Sequence, residues 1–218
     1  MKIQGLVFDM DGTMFDTEII SAAAMRHSLD TLGLSLTQEE IFQCMGLPGR
    51  VIRDRLFSRF GPDFAFDTYL ERKIAYQNAV IDQNGVPLKK GLLPLLQYAK
   101  EAGITCAVAT STSRGRALPL IRRSGTEGYF ISIICGEDTA IGKPAPDIYL
   151  LAAKRLGLKP EHCAGIEDSK NGILSVRRAG MFSVLVPDMI VPDAEMQNAA
   201  DLMCDSLLDV LTFFKQRT

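Results

Sequence analysis

The feature that most limits the possible folds is a series of short apolar runs rich in β-branched residues. These runs cover residues 3–8, 104–109, 131–135, 163–166 and 182–186. Helical patterns lie between most of them, at residues 92–102, 148–156 and 172–179. Continuous apolar strands that alternate with helices are typical of a parallel sheet that is covered on both faces. The sequence therefore predicts an α/β fold with a parallel sheet at its core.

One stretch interrupts this alternation. From residue 16 to residue 89 the sequence contains helix signals and no strand pattern, including Thr37 with Glu40 three residues later, which is a capping box. A right-handed crossover between parallel strands needs only one helix, so a block of several helices is an insertion. We therefore predict a core of residues 1–15 and 90–218 and an inserted α-helical domain of residues 16–89.

Composition and charge exclude several classes of protein. The 218 residues include 24 Lys and Arg against 26 Asp and Glu, and a near-neutral chain lacks the basic surface of a nucleic-acid-binding protein. The longest run without a charge, residues 102–113, is too short for a membrane-spanning helix, which needs about 20 apolar residues. The five cysteines form no CxxC pair, which disfavours disulfides and zinc sites. We expect a cytoplasmic monomer with reduced thiols that binds neither nucleic acid nor a membrane.

Carboxylates, hydroxyls and one lysine lie beyond the carboxyl ends of the predicted strands. They are Asp9 and Asp11 after the first run, Thr110 and Ser111 after the second, Lys143 beyond the third, and Glu167 and Asp168 at the fourth. In open α/β sheets ligands bind beyond these strand ends, so we expect the side chains to converge. Several carboxylates at one place need a cation, and hard oxygen ligands favour Mg²⁺. The two histidines, His27 and His162, are far from these motifs, which disfavours zinc and non-haem iron.

Such a group of side chains is suited to phosphoryl transfer. Mg²⁺, a lysine and hydroxyl or amide donors around one point form an electrophilic cradle for a phosphoryl group. A carboxylate inside that cradle can act as a nucleophile and form an aspartyl-phosphate. A second carboxylate two residues later can act as general acid and base. This division of labour accounts for the pairing of Asp9 with Asp11.

Four motifs stand in a fixed order along the chain. They are Asp9-Met10-Asp11-Gly12-Thr13, Thr110 after the second run, Lys143 in Gly-Lys-Pro-Ala-Pro-Asp, and Glu167-Asp168-Ser169 with Gly172. Together they resemble the motifs of the haloacid dehalogenase superfamily, in its phosphatase and β-phosphoglucomutase-like branch. The resemblance implies a Rossmann-like core with a helical cap domain inserted after the first motif. It also implies a Mg²⁺-dependent phosphatase of a small phosphorylated metabolite, such as a sugar phosphate, with a β-phosphoglucomutase-like phosphomutase as the alternative.

The resemblance further implies a role for each acidic motif residue. Asp9 would be the nucleophile and a metal ligand. Asp11 would protonate the leaving oxygen, then activate water, and would give its backbone carbonyl to the metal. Asp168 would bind the metal, with Glu167 beside it either as a further ligand or as a support.

The remaining candidate residues are implied in holding the substrate. Thr110, Ser111 and Lys143 would hold the phosphate oxygens. In the cap, Arg50 lies close to where mutases of this branch place a phosphate-binding arginine, although the segment Gly46-Leu47-Pro48-Gly49-Arg50 is one residue longer. Lys73 falls about where those mutases place a cap lysine.

The sequence leaves alternatives of different strength. The mutases carry a histidine soon after the Asp-Thr pair, and the corresponding position here is about Ser21, which favours the phosphatase. A C-halide hydrolase needs no acid at the second position of the first motif, so Asp11 argues against it. A response-regulator-like phospho-acceptor module combines similar groups, but it lacks both the N-terminal D-x-D pair and a helical cap.

Overall fold

The computed structural model describes residues 3–45, 47 and 49–216. The chain divides into two compact units. One unit comprises the residues up to Asp16 together with those from Leu88 onward, and the other is Thr17–Pro87. The second unit is therefore a single insertion into the chain of the first.

The first unit is built on a sheet of six strands, and the strands are parallel, as the sequence predicts. Its strands are β1 (Gly5–Phe8), β2 (Thr105–Ala109), β3 (Phe130–Ile134), β4 (Cys163–Glu167), β5 (Phe182–Leu185) and β6 (Leu202–Met203). Their order across the sheet is β3-β2-β1-β4-β5-β6. Strand β1 thus lies at the centre and pairs with both β2 and β4. The two-residue strand β6 is not predicted from the sequence, because a strand of that length leaves no periodic pattern.

The inserted unit contains four α-helices among its described residues. They are α1 (Thr17–Asp30), α2 (Gln38–Phe42), α3 (Gly49–Phe60) and α4 (Phe66–Asn84). Helix α2 begins with the predicted capping box, in which the Glu40 amide donates to the Thr37 hydroxyl at 3.1 Å and the Thr37 amide donates to the Glu40 carboxylate at 2.7 Å. Helix α1 packs against α4.

Helices cover both faces of the sheet. They are α5 (Leu92–Glu101), α6 (Arg114–Arg123), α7 (Asp147–Leu156), α8 (Lys170–Arg178), α9 (Ala194–Ala199) and α10 (Leu207–Lys215). Val7 and Ala107 belong to the apolar cluster under α7 and α8. Leu6 and Phe8 are equally buried, and they point the other way because successive side chains alternate along a strand. None of the described helices has the length and apolar character needed to span a membrane.

The two linkers of the insertion lie side by side at the edge of the first unit. Phe15 forms an antiparallel bridge with Leu88. The ammonium of Lys89 forms ion pairs with Asp16, at 3.3 Å, and with Asp188 beyond the end of β5. Backbone pairing and charge therefore hold both linkers against the loop that follows β5.

Close packing of α8 on the sheet depends on Gly165 in β4. A Cβ atom at this position would lie 2.6 Å and 2.7 Å from the two methyl carbons of Val176 on α8. Val176 is fully buried, so its side chain has no solvent-filled space into which it could move. The absence of a side chain at residue 165 therefore sets how closely strand and helix approach.

We predict that Gly165→Ala lowers the free energy of unfolding by about 1–3 kcal/mol, because the added methyl group overpacks the core. Urea unfolding monitored by circular dichroism measures this change. Gly128→Ala is the matched control, since a Cβ there meets nothing within 4 Å. In a Val176→Ala background the cost of Gly165→Ala should fall. An undiminished cost would contradict the packing explanation.

Candidate active site

The predicted motif residues meet beyond the carboxyl ends of the central strands. Asp9 follows β1, Thr110 follows β2, and Glu167 is the last residue of β4. Lys143 comes from the segment that precedes α7. Because β2, β1 and β4 are parallel neighbours, side chains that follow them lie at one edge of the sheet.

Lys143 is the positive centre of this group. Its ammonium donates hydrogen bonds to Oδ1 of Asp9 at 2.5 Å, to Oε1 of Glu167 at 2.6 Å and to the carbonyl of Ala109 at 2.9 Å. Its side chain is only 6% exposed. The three acceptors match the three donors of an ammonium group, so the buried charge is fully hydrogen bonded.

Glu167 is fully buried and accepts hydrogen bonds at both carboxylate oxygens. Oε1 accepts from Lys143 and from the Tyr149 hydroxyl at 2.7 Å. Oε2 accepts from the Asp168 amide at 3.2 Å and from the Ser169 amide and hydroxyl at 3.4 and 3.1 Å. These partners fix the carboxylate in one orientation and compensate the loss of its hydration.

Two glycines make room for the carboxylates. A Cβ at Gly172, in the first turn of α8, would overlap the carboxylate of Glu167. A Cβ at Gly12 would overlap the carboxylate of Asp168, and Gly12 also has a φ of +83°, which side-chain-bearing residues rarely adopt. Both glycines of the predicted motifs therefore have a steric reason to be present.

Hydroxyl groups hold the other two carboxylates. The Thr13 hydroxyl donates to Oδ1 of Asp168 at 3.2 Å. The Thr112 hydroxyl donates to Oδ2 of Asp11 at 2.7 Å. The amide of Thr112 donates to Oγ1 of Thr110 at 3.0 Å. Thr110 is 1% exposed. Its oxygen is the acceptor in the hydrogen bond from Thr112, so its hydroxyl proton is still available to a phosphate oxygen.

Three carboxylates of the group could hold a metal ion. Asp9, Glu167 and Asp168 each offer one oxygen, and these oxygens lie within 4.8 Å of one another. Three carboxylates outweigh the single charge of Lys143. Burial raises the pKa of Asp9 to about 8, Lys143 opposes this rise, and Glu167 and Asp11 add to it. Burial and the charges of Asp9 and Glu167 also raise the pKa of Asp168 well above its usual range. A divalent cation that prefers oxygen ligands would balance this excess of negative charge, so the donor set fits Mg²⁺.

The other predicted substrate contacts lie outside this cluster of hydrogen bonds. Ser111 is exposed in the loop between β2 and α6. Arg50 is exposed on α3, and Lys73 is half-buried on α4, both in the inserted unit. Gly46 and Pro48, which define the spacing before Arg50, lie outside the described residues. Binding of substrate by Ser111, Arg50 and Lys73 stays a prediction.

Two side chains of the site were not predicted from the sequence. Tyr149 is fully buried on α7, where its hydroxyl reaches Glu167 and its ring centroid lies 5.1 Å from the ammonium of Lys143. Its place among the apolar positions of α7 predicts only a core residue. Thr112 lies in the loop after β2, where its hydroxyl reaches Asp11. The sequence places four hydroxyl residues in a row at positions 110–113, but it does not show which of them contacts Asp11.

Comparison with known proteins assigns the chain to a protein family. The sequence model of the haloacid dehalogenase-like hydrolase family matches residues 6–186. A phosphorylated carbohydrates phosphatase of Thermotoga maritima is 31% identical over 179 residues, with 82% of each chain covered.

Solved structures with the same fold cover nearly the whole chain. A Thermotoga maritima protein assigned as a β-phosphoglucomutase superposes with a TM-score of 0.85 and 28% identity, covering 98% of this chain and 99% of that one. A variant of CbbY from Rhodobacter sphaeroides, solved in complex with xylulose-1,5-bisphosphate, gives a TM-score of 0.78 and 29% identity, covering 94% of this chain and 95% of that one. The chain therefore belongs to the haloacid dehalogenase-like hydrolases, in the phosphatase and β-phosphoglucomutase-like branch, and is an enzyme that acts on phosphoric monoesters.

Proposed function

We propose that this enzyme is a Mg²⁺-dependent phosphatase that hydrolyses a small sugar phosphate through an aspartyl-phosphate on Asp9. The observation that carries the proposal is the buried carboxylate of Asp9, 2.5 Å from the ammonium of Lys143 and grouped with Glu167 and Asp168. The relative named for phosphorylated carbohydrates and the CbbY variant bound to a sugar bisphosphate support the substrate class.

In the first step an oxygen of Asp9 attacks phosphorus, and the bond between phosphorus and the ester oxygen breaks. Asp11 gives its proton to that oxygen, so the sugar leaves as a neutral alcohol. The hydroxyl of Thr110 donates to a phosphoryl oxygen during the transfer, and the positive charge of Lys143 attracts the phosphoryl oxygens. Lys143 is already fixed by three acceptors, and it can neutralise charge on a phosphoryl oxygen without moving far.

In the second step Asp11, now ionised, takes a proton from a water molecule. The resulting hydroxide attacks phosphorus, and the bond to the Asp9 oxygen breaks. Inorganic phosphate is released, and the carboxylate of Asp9 and the proton on Asp11 are restored. Each turnover therefore consumes one water molecule and leaves the enzyme unchanged.

The carboxylates of Asp9 and Asp168 and the backbone carbonyl of Asp11 would hold the metal. Mg²⁺ bound there supplies positive charge that keeps Asp9 ionised and neutralises the phosphoryl group. We assign Glu167 the part of a support, because both of its oxygens already accept hydrogen bonds, from Lys143 among others. It positions the lysine and compensates its charge.

A phosphomutase is the second candidate, because the chain superposes on a protein assigned as a β-phosphoglucomutase. A mutase must return the phosphoryl group to a sugar and must keep water from the aspartyl-phosphate. Ser21, on α1, stands about where those mutases carry a histidine. That difference favours hydrolysis. Isomerisation of β-glucose 1-phosphate with a bisphosphate primer, without release of phosphate, would favour the mutase.

We predict that Asp9→Asn abolishes phosphate release, because an amide is a poor nucleophile. The measurement is release of inorganic phosphate from a panel of sugar phosphates and sugar bisphosphates, with Mg²⁺ and with EDTA. Wild-type enzyme should require the metal. Asp205→Asn, at an exposed position of the same unit, should keep wild-type rates. Turnover by Asp9→Asn at the wild-type rate would rule out the covalent scheme.

We predict that Asp11→Asn slows turnover about 10²–10⁴-fold, because it removes general acid and base catalysis while leaving the nucleophile in place. With p-nitrophenyl phosphate, whose leaving group needs no proton, rapid quenching and mass spectrometry of the intact protein should show a phosphorylated form that persists. The same experiment on Asp9→Asn should show no phosphorylated form. Unchanged hydrolysis by Asp11→Asn would remove Asp11 from its proposed role.

We predict that Gly172→Ala lowers the free energy of unfolding by about 1–3 kcal/mol, because the added methyl group displaces the carboxylate of Glu167. Phosphate release should fall as well, since Glu167 holds Lys143. Gly115→Ala is the matched control in the first turn of α6, where a Cβ meets nothing within 4 Å. Alanine there should raise stability by about 0.4–1 kcal/mol. Urea unfolding and phosphate assays on both variants measure the contrast, and equal behaviour of the two would contradict the steric argument.

A further inference from the structure

Thr112 contacts the carboxylate of Asp11 through a hydrogen bond of 2.7 Å from its hydroxyl to Oδ2. The two residues are 101 positions apart in the chain, so only the fold brings them together. We propose that Thr112 is a positioning residue for Asp11. Its hydrogen bond to Oδ2 directs proton transfer through the other carboxyl oxygen, Oδ1. This inference rests on the proposed function, in which Asp11 is the general acid and base.

The backbone holds Thr112 firmly enough for such a role. Its amide donates to Oγ1 of Thr110 at 3.0 Å, and its carbonyl accepts from the amide of Gly136 at 3.2 Å. A Cβ at Gly136 would lie 2.6 Å from the carbonyl oxygen of Ser111, so the loops after β2 and β3 are in direct contact. Threonine is β-branched and has few χ1 rotamers. The hydroxyl is therefore presented to Asp11 from a fixed backbone.

An aspartate without such a partner would be a poorer acid. The torsion about its last carbon–carbon bond is broad, so its two oxygens exchange places at little cost. A hydroxyl that donates to Oδ2 fixes the plane of the group. It also leaves the proton of the acid form on Oδ1, because the lone pair of Oδ2 that accepts the hydrogen bond from Thr112 cannot carry a proton. Misplacement of a catalytic group by about 1 Å can cost about 10²-fold in rate.

Thr112 also connects the acid with the phosphate-holding residue. The same residue that donates its hydroxyl to Asp11 donates its amide to Thr110. Thr110 then has its hydroxyl proton to offer to a phosphoryl oxygen. One loop residue thus sets the direction of two hydrogen-bonding groups that act on opposite sides of the breaking bond.

The leaving group offers a test that simple damage to the fold would not satisfy. A sugar alkoxide leaves poorly and needs the proton of Asp11 in the first step. p-Nitrophenolate is a stable anion and leaves without one. The value of kcat/KM reports the steps up to formation of the aspartyl-phosphate. A fault in the position of the acid should therefore lower kcat/KM for the sugar phosphate and spare that for p-nitrophenyl phosphate.

The experiment compares Thr112→Val, Thr112→Ser and wild type with both substrates at saturating Mg²⁺. Valine keeps the shape and removes the hydroxyl, so kcat/KM for the sugar phosphate should fall about tenfold to a hundredfold, with little change for p-nitrophenyl phosphate. Serine restores the hydroxyl and should restore most of the activity. Ser113→Ala is the control, because Ser113 is exposed and makes no capping bond. Thr112→Ala serves as a second hydroxyl-free variant if valine impairs folding.

Three results would overturn the inference. They are wild-type kinetics in the hydroxyl-free variants, an equal loss for both substrates, and a serine variant as impaired as the valine variant. Failure of the proposed function would look different. In that case Asp9→Asn would remain active or wild type would release no phosphate from either substrate, and both proposals would fall together.

Discussion

The buried ammonium of Lys143 between Asp9 and Glu167 is the interaction on which the rest of the site depends. Removing ions from water costs several kcal/mol for each ion, and the attraction between them repays this only with good geometry and full hydrogen bonding. Lys143 meets that condition with three acceptors, and Glu167 meets it with hydrogen bonds at both oxygens. Loss of either partner would leave an uncompensated buried charge, which typically costs about 3–5 kcal/mol. Asp9, the proposed nucleophile, is thus held by the same contacts that make its burial tolerable.

Sheet topology explains how such distant residues come to share one charge network. Strand β1 pairs with β2 on one side and with β4 on the other. Asp9 therefore lies between Thr110 at the end of β2 and Glu167 at the end of β4, although Glu167 is separated from it in sequence by more than half of the chain. The close approach of the carboxylates to the backbone then depends on glycine, since a Cβ at Gly12 or Gly172 would occupy the space of a carboxylate. Backbone order and steric room together determine where the charges meet.

The alternation of apolar runs and helical patterns was sufficient to predict the parallel α/β core, because buried strands of four or five residues leave a readable signal. It was not sufficient for β6, which has two residues, nor for α6, whose pattern is interrupted by Pro119 and by charged residues. The polar motifs could be found because each follows a strand. Tyr149 could not, since a tyrosine on the apolar face of a helix looks like a core residue until its hydroxyl partner is known. Side-chain partners depend on tertiary packing, which periodicity does not encode.

The acidic residues of the site differ in what surrounds them, and those surroundings fit the different roles proposed for them. Asp9 is buried against Lys143, whose ammonium holds the carboxylate in place and opposes the rise of its pKa that burial causes. Asp168 is held by the hydroxyl of Thr13 and faces Asp9 across the space that a cation would fill. Asp11 is only half-buried, and one of its carboxylate oxygens accepts a hydrogen bond from the Thr112 hydroxyl. This hydrogen bond fixes the direction of the Asp11 carboxyl, which the proposed role requires, because the group must deliver a proton to the leaving oxygen in one step and take one from water in the next.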